Sequence, residues 1–558
     1  MTSKISRRTS TQPLDGFWEF AFLSDCHLDQ IDLNAIEFDD RLPVPGCFDV
    51  DTKYAGKRGT GIYKTIFSSK PGQKYLLNFG SLSLYAEIYL DGERVKTWQL
   101  PYTPLTLEIA PSDRQQRELV VLVDNRFDFE RMPLFEPYYD FFAFGGIPRP
   151  VTLTSVPDCY IKELHLTATD IDNGIVYGCA RLSSALEEPN LKLCIDGVIT
   201  NLNSCHHSTN TIDFSFTLNK IDLWTPDSPR LYIADLQIGS DSYRERFGLR
   251  RIEVKDSTIQ LNGANIKLVG WNRHEATPQF GATVPVEQMQ CDIRMLKDLG
   301  ANFVRGCHYK QDPRFLDLCD EMGLMVFEEA LGWGNKADRH FSHDHFCHLY
   351  KQQTLEMVNQ SFNHPSVIIW GYLNESESHI KSTIPLHKEL YESIKTLDPT
   401  RLVTFASNKL AQDLCFDFVD IVSINLYPGW YGGEVLRPLD DIPDKIDAFI
   451  NWLMESPNSN KPILISEIGA GAIYGWRDPL MGHWTEQYQA DVLERVYDEF
   501  CSRERLAGLC FWQFCDCRTY AHSLATQRPR SFNNKGIVDE YRRPKLAYDR
   551  IKAKLTKS

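Results

Sequence analysis

Several things are missing from this sequence, and each absence closes off a class of protein. No apolar run approaches the roughly 18–20 residues that a bilayer-spanning helix needs, so no membrane anchor is expected. The stretch from Met1 to Arg8 is positively charged, but Gln12-Pro13-Leu14-Asp15-Gly16 follows where a secretory leader would carry apolar residues. Basic charge is not in excess. Lys+Arg number 60 against 75 Asp+Glu, a net charge of −15, which suits neither a nucleic-acid backbone nor an anionic membrane surface. No internal repeat and no low-complexity tract is visible. The 15 cysteines are scattered and odd in number. With no leader, they read as free thiols of a cytoplasmic protein.

What is present divides the chain. Its 558 residues suffice for two to four domains. Up to about residue 250 the pattern is β. Lys74–Phe79 and Ala86–Leu90 are short strand-like runs, the second alternating and followed directly by the hairpin signal Asp91-Gly92. Glu118–Val123 is a further strand ended by Asp124-Asn125. The proline-containing turn at Val156-Pro157-Asp158 separates this stretch from a second strand-rich one, which starts at Tyr160–Leu166 and ends near Arg246-Phe247-Gly248. Short strands at such spacing imply β-sandwiches. After about residue 255, apolar runs alternate with helices. The helix at 286–299 is stopped by Gly300, and the helix at 313–322 by Gly323. Strand runs at 266–270, 303–307, 324–327, 367–370, 402–405, 421–424, 463–466 and 508–512 fit a (β/α)₈ barrel. An open doubly wound sheet is the alternative. It would ordinarily place a glycine-rich nucleotide loop after its first strand, and Trp271-Asn272-Arg273-His274 is not one. The expected organisation is a sandwich over 1–157, a second over 158–252 and a barrel over 253–558.

Barrel enzymes carry their chemistry at the C-terminal ends of the strands. Here those ends hold Asn272, Arg273, His274, Glu275, His308, Tyr309, Glu328, Glu329, Asn374, Glu375, Asn425, Tyr427, Glu467, Gln513 and Asp516. That is a rim of carboxylates and amides with no Ser-His-Asp grouping. Two carboxylates flanking a sugar ring suit glycosidic cleavage, one protonating the leaving oxygen while the other attacks or activates water. Position alone leaves Glu328, Glu329, Glu375 and Glu467 as candidates, since any one strand-end glutamate can equally be a structural ion pair. His340, His343, His345, Cys347 and His348 are zinc-binding residue types. Their irregular spacing favours solvated or substrate-flanking histidines, and no metal is expected. Cys515 and Cys517 read as free thiols, and Gly469-Ala470-Gly471 as close backbone packing.

Several motifs, in order, resemble glycoside hydrolase family 2. Trp370-Gly371-Tyr372-Leu373-Asn374-Glu375 is similar to the family's strand-4 Asn-Glu motif, and Ile465-Ser466-Glu467-Ile468-Gly469 to its strand-7 nucleophile motif. Gly270–Glu275, Val304–Tyr309 and Asn363-His364-Pro365-Ser366-Val367 resemble its strand-1, strand-2 and strand-4 lead-in segments. Tyr139–Ile147 resembles the β-glucuronidase branch. Asn533-Asn534-Lys535-Gly536 looks like the Asn-x-Lys-Gly motif with which that branch holds the sugar carboxylate.

The resemblance covers essentially the whole chain. It implies a jelly-roll β-sandwich, an immunoglobulin-like β-sandwich and a C-terminal TIM barrel. The implied activity is retaining hydrolysis of β-D-glucuronides, with β-galacturonidase or β-galactosidase as neighbouring activities and an inactive carbohydrate binder as the alternative of a different class. It implies Glu467 as nucleophile and Glu375 as acid–base. Asp140, His308, Asn374, Tyr427, Tyr431, Trp512, Asn533 and Lys535 are implied as substrate-binding residues. No cofactor is implied, and a homo-oligomer is. Two departures stand out. Glu329–Tyr350 is shorter than the corresponding segment of the enterobacterial enzyme and rich in histidine. The family's arginine upstream of Asn-x-Lys is matched by Arg528 or Arg530 without a clear register.

Overall fold

Alternating apolar and polar positions in the first half of the chain become antiparallel sheets. The computed structural model describes residues 8, 10–25, 28–186, 190–431, 439–520 and 528–556. Two compact units emerge, the first comprising residues 1–126, 143–251 and 360–365. In it, a six-stranded sheet pairs Gln116–Asp124 with Thr60–Ser68 on one side and Tyr85–Leu90 on the other. Asp91 and Gly92 turn the chain into Glu93–Trp98 with φ of 52° and 87°, the left-handed pair that a tight hairpin requires. A four-stranded sheet contains Lys74–Phe79, with the bounds read from the sequence. Two more four-stranded sheets follow. One holds Ile161–Asp170, Ile175–Leu182, Thr211–Thr217 and Leu202–His207, and the other holds Leu191–Ile195, Tyr232–Ile238 and Asp241–Phe247 beside Val198–Thr200. Their inward positions build a core of Leu164, Val176, Phe214, Phe216, Leu236 and Phe247. Gly178 makes room for the Phe214 ring, because a Cβ there would stand 2.3 Å from it.

The second unit comprises residues 127–142, 252–359 and 366–558. Its centre is a closed barrel of eight parallel strands. They are β1 (Leu268–Arg273), β2 (Phe303–Gly306), β3 (Met325–Glu329), β4 (Val367–Asn374), β5 (Leu402–Ser407), β6 (Val422–Asn425), β7 (Ile463–Ile468) and β8 (Leu506–Phe511). Among the surrounding helices are α1 (Val286–Asp298), α2 (Pro313–Met322), α3 (Asp344–Ser361), α4 (Ile384–Leu397) and α5 (Asp441–Met454). α2 starts with an Asp312 side-chain cap and Pro313, and stops where Gly323 takes φ 69°.

Register shifts occur within β3, at Val326 and Phe327, and at the start of β7, at Ile463 and Leu464, and again at the mouth. There the β4–β5 register shifts between Gly371 and Asn374, and the β7–β8 register between Ile465 and Ile468. Leu373 and Glu375 adopt φ of 48° and 53°, conformations that L-residues with a Cβ seldom hold. Such irregularities re-aim side chains at the end of a strand. Among the described residues no helix is long and apolar enough to cross a membrane.

Candidate active site

Two of the irregular strand ends carry glutamates to one cavity. Glu375 directly follows β4, Glu467 lies in β7, and both line a cavity of about 870 Å³. Their surroundings differ. Glu467 is held at both oxygens, by Arg305 Nη1 donating to Oε1 at 2.8 Å and by the Tyr427 hydroxyl donating to Oε2 at 2.7 Å. Glu375 accepts one bond, from Asn425 Nδ2 at 3.0 Å. Burial, reinforced by the negative charge of Glu467, pushes the Glu375 carboxyl up to about 7. One carboxylate is thus fixed against a cation while the other is drawn toward its protonated form near neutrality. Environments that separate two carboxyl groups in this way suit them to opposite roles.

Arg305 organises the floor. Fully buried, it donates through Nε to Glu329 at 2.8 Å, through Nη1 to Asn272 Oδ1 at 3.0 Å, and through Nη2 to Asn374 Oδ1 at 2.9 Å. Asn374 Oδ1 also accepts from Asn425 at 3.0 Å, whereas Asn374 Nδ2 is buried with no partner among the described residues. An unspent buried donor costs stability unless a ligand engages it. His308 Nδ1 is hydrogen-bonded to Glu329 at 2.8 Å, and burial lowers the ring to about 3, which keeps it neutral. Its ring stacks on Trp512 with centroids 5.2 Å apart.

A second cluster lines the same cavity. Lys535 Nζ donates to the Tyr431 hydroxyl at 2.6 Å and lies 4.7 Å from the Tyr431 ring centroid. It is 1% exposed, and among the described residues no carboxylate comes within 4.0 Å of it. Burial, aided by the charge of Arg528, holds its proton affinity well below that of an ordinary lysine. Arg528 pairs with Asp140 and donates to the Tyr431 hydroxyl at 2.9 Å. Asn533 Nδ2 donates to Asp140 at 2.9 Å. The loop carrying Asn533 and Lys535 is anchored from below by Asp516, which accepts from Asn534 Nδ2 at 3.0 Å, the Gly536 amide at 2.8 Å and Lys545 Nζ at 2.8 Å. Gly536 is required there, since a Cβ would stand 2.3 Å from the Asp516 nitrogen.

Of the residues singled out in the sequence, Glu375, Glu467, Asp140, His308, Tyr427, Tyr431, Trp512 and Lys535 all line this cavity. Asn374 and Asn533 stand behind it, bonded to the lining residues Asn425 and Asp140. Asp140 belongs to the segment 127–142, which groups with the barrel rather than with the residues around it in sequence.

Known proteins resemble this chain. Residues 252–557 match the glycosyl hydrolases family 2 TIM barrel domain, and residues 178–250 match a second family 2 domain. The chain belongs to glycosyl hydrolase family 2. A curated relative from Formosa agariphila is 28% identical over 525 residues, covering 85% of this chain and 61% of its own length. A β-glucuronidase from Streptococcus agalactiae is 27% identical, covering 86% of this chain and 85% of its own. A solved family 2 β-galacturonidase from Eisenbergiella tayi, bound to galacturonate, superposes with a TM-score of 0.91 at 33% identity, covering 100% of this chain and 99% of its own.

Sequence reasoning passed over parts of this family 2 site. Arg305 falls inside the strand-2 motif without being singled out, although a charge inside the apolar run Phe303–Gly306 is a usable signal. Of the two upstream arginines, Arg528 lines the cavity, while Arg530 pairs with Glu540 at 2.8 Å. Tyr138, Trp333 and Lys409 also line it, with nothing in their sequence context to mark them. The histidine-rich segment closes its own turn, as His340 Nδ1 accepts from the Lys336 amide at 3.0 Å and burial lowers its ring to about 4. Among the described residues, ligand atoms within 4.8 Å of one another occur in two other groups, His274 with Cys307 and His308, and Asp317 with Asp320 and His364, both of types that can hold a metal ion.

Proposed function

We propose that this hydrolase is a retaining β-D-uronidase that cleaves β-D-glucuronides to D-glucuronate and an alcohol. Glu467 attacks the anomeric carbon as the glycosidic C–O bond breaks, and Glu375 gives its proton to the departing oxygen. Water then adds to the same carbon, Glu375 takes its proton, and Glu467 is released. The raised proton affinity of Glu375 suits the first half. Once Glu467 is glycosylated its charge is gone, Glu375 becomes a stronger acid, and its conjugate base suits the second half. In this reading Tyr427 orients Glu467, Asn374 offers its unspent N–H to the sugar 2-hydroxyl, and Asp140, His308 and Trp512 flank the ring. Asn533, Lys535 and Tyr431 serve the sugar carboxylate. Every proton and electron pair is handled by the chain, the substrate and water.

The observation that carries the acid-sugar half is Lys535, a buried amine whose charged form burial disfavours, with no carboxylate within reach among the described residues. A buried cation without a counter-charge is costly. The C6 carboxylate of a uronide would supply that charge, and a neutral hydroxymethyl would not.

A second reading, β-D-galacturonide as the substrate, is favoured by one comparison. The galacturonidase matches the whole chain at 33% identity, above the 27% of the Streptococcus β-glucuronidase. Both readings keep the carboxylate site and differ at the C4 hydroxyl. Chromogenic β-glucuronide, galacturonide, galactoside and mannoside assayed side by side decide between them. Lys535→Ala is expected to lower kcat/KM on the preferred uronide by on the order of 10²-fold while changing neutral glycosides little. Equal losses on acidic and neutral glycosides would remove Lys535 as the carboxylate reader.

The division at residues 157 and 252, a homo-oligomer and a cytoplasmic location belong to the same reading. Limited proteolysis, light scattering and cell fractionation test them in turn.

A further inference from the structure

The cavity extends beyond what a single sugar and its carboxylate would use. Lys336, Lys409 and Lys445 line it as well, together with Trp333, Tyr138 and Phe449. Lys409, two residues past β5, is half-buried and close enough to Glu375 for its charge to act on that carboxyl. Lys336 lies close enough to Lys409 for the two ammonium groups to repel. Lys445 and Phe449 stand one turn apart on α5, which packs against residues 410–412 directly after Lys409. These cations therefore gather on the side of Glu375, where the leaving group must sit if Glu375 is the acid. They are separate from Lys535 and Arg528, which share the Tyr431 hydroxyl.

Their charge is balanced only in part, since Glu375, Glu377 and Asp413 lie close enough to act on Lys409. Lys336 pairs with Glu377 at 3.2 Å, but among the described residues neither Lys409 nor Lys445 has a carboxylate within 4.0 Å. Of the three carboxylates lining the cavity, Asp140 is paired with Arg528, Glu467 with Arg305, and Glu375 is the acid itself. A chain of net charge −15 thus holds three lysines around the leaving-group side of one cavity. The rings of Tyr138 and Trp333, with centroids 5.7 Å apart, supply an aromatic face of the kind that sugar rings and aryl groups pack on.

We propose that the leaving-group subsite selects an anionic aglycone, in the first instance a second acidic sugar of an oligosaccharide, through Lys409 and Lys445 with Lys336 beside them. The proposal rests on the uronidase reading, because Glu375 defines which side is the leaving-group side. Charges gathered in a cleft raise the local concentration of an oppositely charged ligand and do so less as salt rises.

The test uses matched aryl glycosides whose phenol carries a carboxymethyl group in one member and the isosteric carboxamidomethyl group in the other. The leaving oxygen then has nearly the same basicity in both. The expected kcat/KM ratio of acid to amide is about tenfold at low salt, shrinking toward one at about 0.5 M salt. In Lys409→Gln/Lys445→Gln the ratio should fall close to one at every salt concentration, and in Lys445→Gln alone, a change at an exposed position, it should fall part of the way. A sulfonatomethyl member separates the sources. An equal gain places sulfated acceptors in the class, and a gain for carboxylate alone narrows it to acidic sugars. A wild-type ratio of one at low salt, or a ratio the double variant leaves intact, would overturn the proposal. Failure to cleave any uronide would instead sink the glycone reading, and the same pair would then be carried on the glycone that is cleaved.

Discussion

The core of the second sandwich and the floor of the barrel mouth are both built from side chains with little exposure, yet they are made of opposite materials. The first is Leu164, Val176, Phe214, Phe216 and Phe247, side chains whose burial contributes stability at roughly 25 cal/mol per Å² of apolar area. The second buries Arg305, Glu329, Glu467 and His308, with Glu375 half-buried beside them. Taking such groups out of water costs several kcal/mol per ion, and mutual attraction repays it only in part. Well-packed apolar residues of similar volume are often as stabilising or more so. The sandwich core is therefore read as architecture, and the mouth as a place where stability has been given up for chemistry.

The sharpest way to break this comparison is at Glu467. Glu467→Gln keeps the volume and one acceptor oxygen for Arg305, replaces the other with an NH2 that the Tyr427 hydroxyl can accept from, and removes the charge that would attack carbon. Arg305 would keep Glu329 as its counter-ion, so the fold should melt at or above the wild-type temperature. The kcat should fall by on the order of 10⁴-fold or more. Labelling by a 2-fluoro uronide, read by peptide mass, should modify Glu467 in the wild type. A variant with near-normal turnover, or a label on Glu329, would remove Glu467 as the nucleophile.

A paired experiment reads the two regions against each other. Arg305→Met strips the counter-ion from Glu329 and Glu467 together, and breaking a buried pair in this manner costs about 3–5 kcal/mol. Phe214→Ala empties part of the sandwich core and should cost a similar ~3–5 kcal/mol. The melting temperatures should thus fall by comparable amounts. Turnover per folded molecule should collapse in Arg305→Met and stay near wild type in Phe214→Ala. Should both variants lose activity only in proportion to unfolded protein, the mouth would be structural after all.

How far the sequence reveals these regions follows the same divide. Lys74–Phe79 and Pro313–Met322 have the bounds read from the sequence, because alternation, a proline start and a glycine stop are local signals. The barrel strands are found, but some bounds differ. β4 was read as ending at Trp370 and runs to Asn374, and β3 was read to Phe327 and runs to Glu329. The added residues include Glu328, Glu329 and Asn374, polar groups that hydrophobic pattern is blind to, and Gly371, Tyr372 and Leu373, where the register shift interrupts the regular strand. Motifs single out Glu375 and Glu467 where position left four glutamates open. Partners joined across the chain leave no local trace, as with Arg528 and Asp140, which are 388 residues apart. The same holds for Lys409, a lysine in an unremarkable loop.

The smallest expected effect is a shift of a pH limb, and it tests whether the mouth tunes its groups as proposed. Glu375 must be protonated in the free enzyme to act on the substrate, and its carboxyl is pushed up to about 7. The kcat/KM should therefore hold below that pH and fall as pH rises through it. Lys409 opposes the raised proton affinity, because a positive charge nearby favours the ionised carboxylate. Lys409→Met removes that opposition, so Glu375 should keep its proton longer and the limb should move upward by a few tenths of a pH unit, on the scale of a partly screened charge. Profiles on a neutral aglycone keep charge selection in the leaving-group subsite out of the measurement. A limb that stayed fixed would assign the titration to a group other than Glu375. A limb that moved downward would mean that Lys409 does not act on Glu375 as a charge, and the contrast between a mouth tuned by its ions and a core held by packing would lose its support.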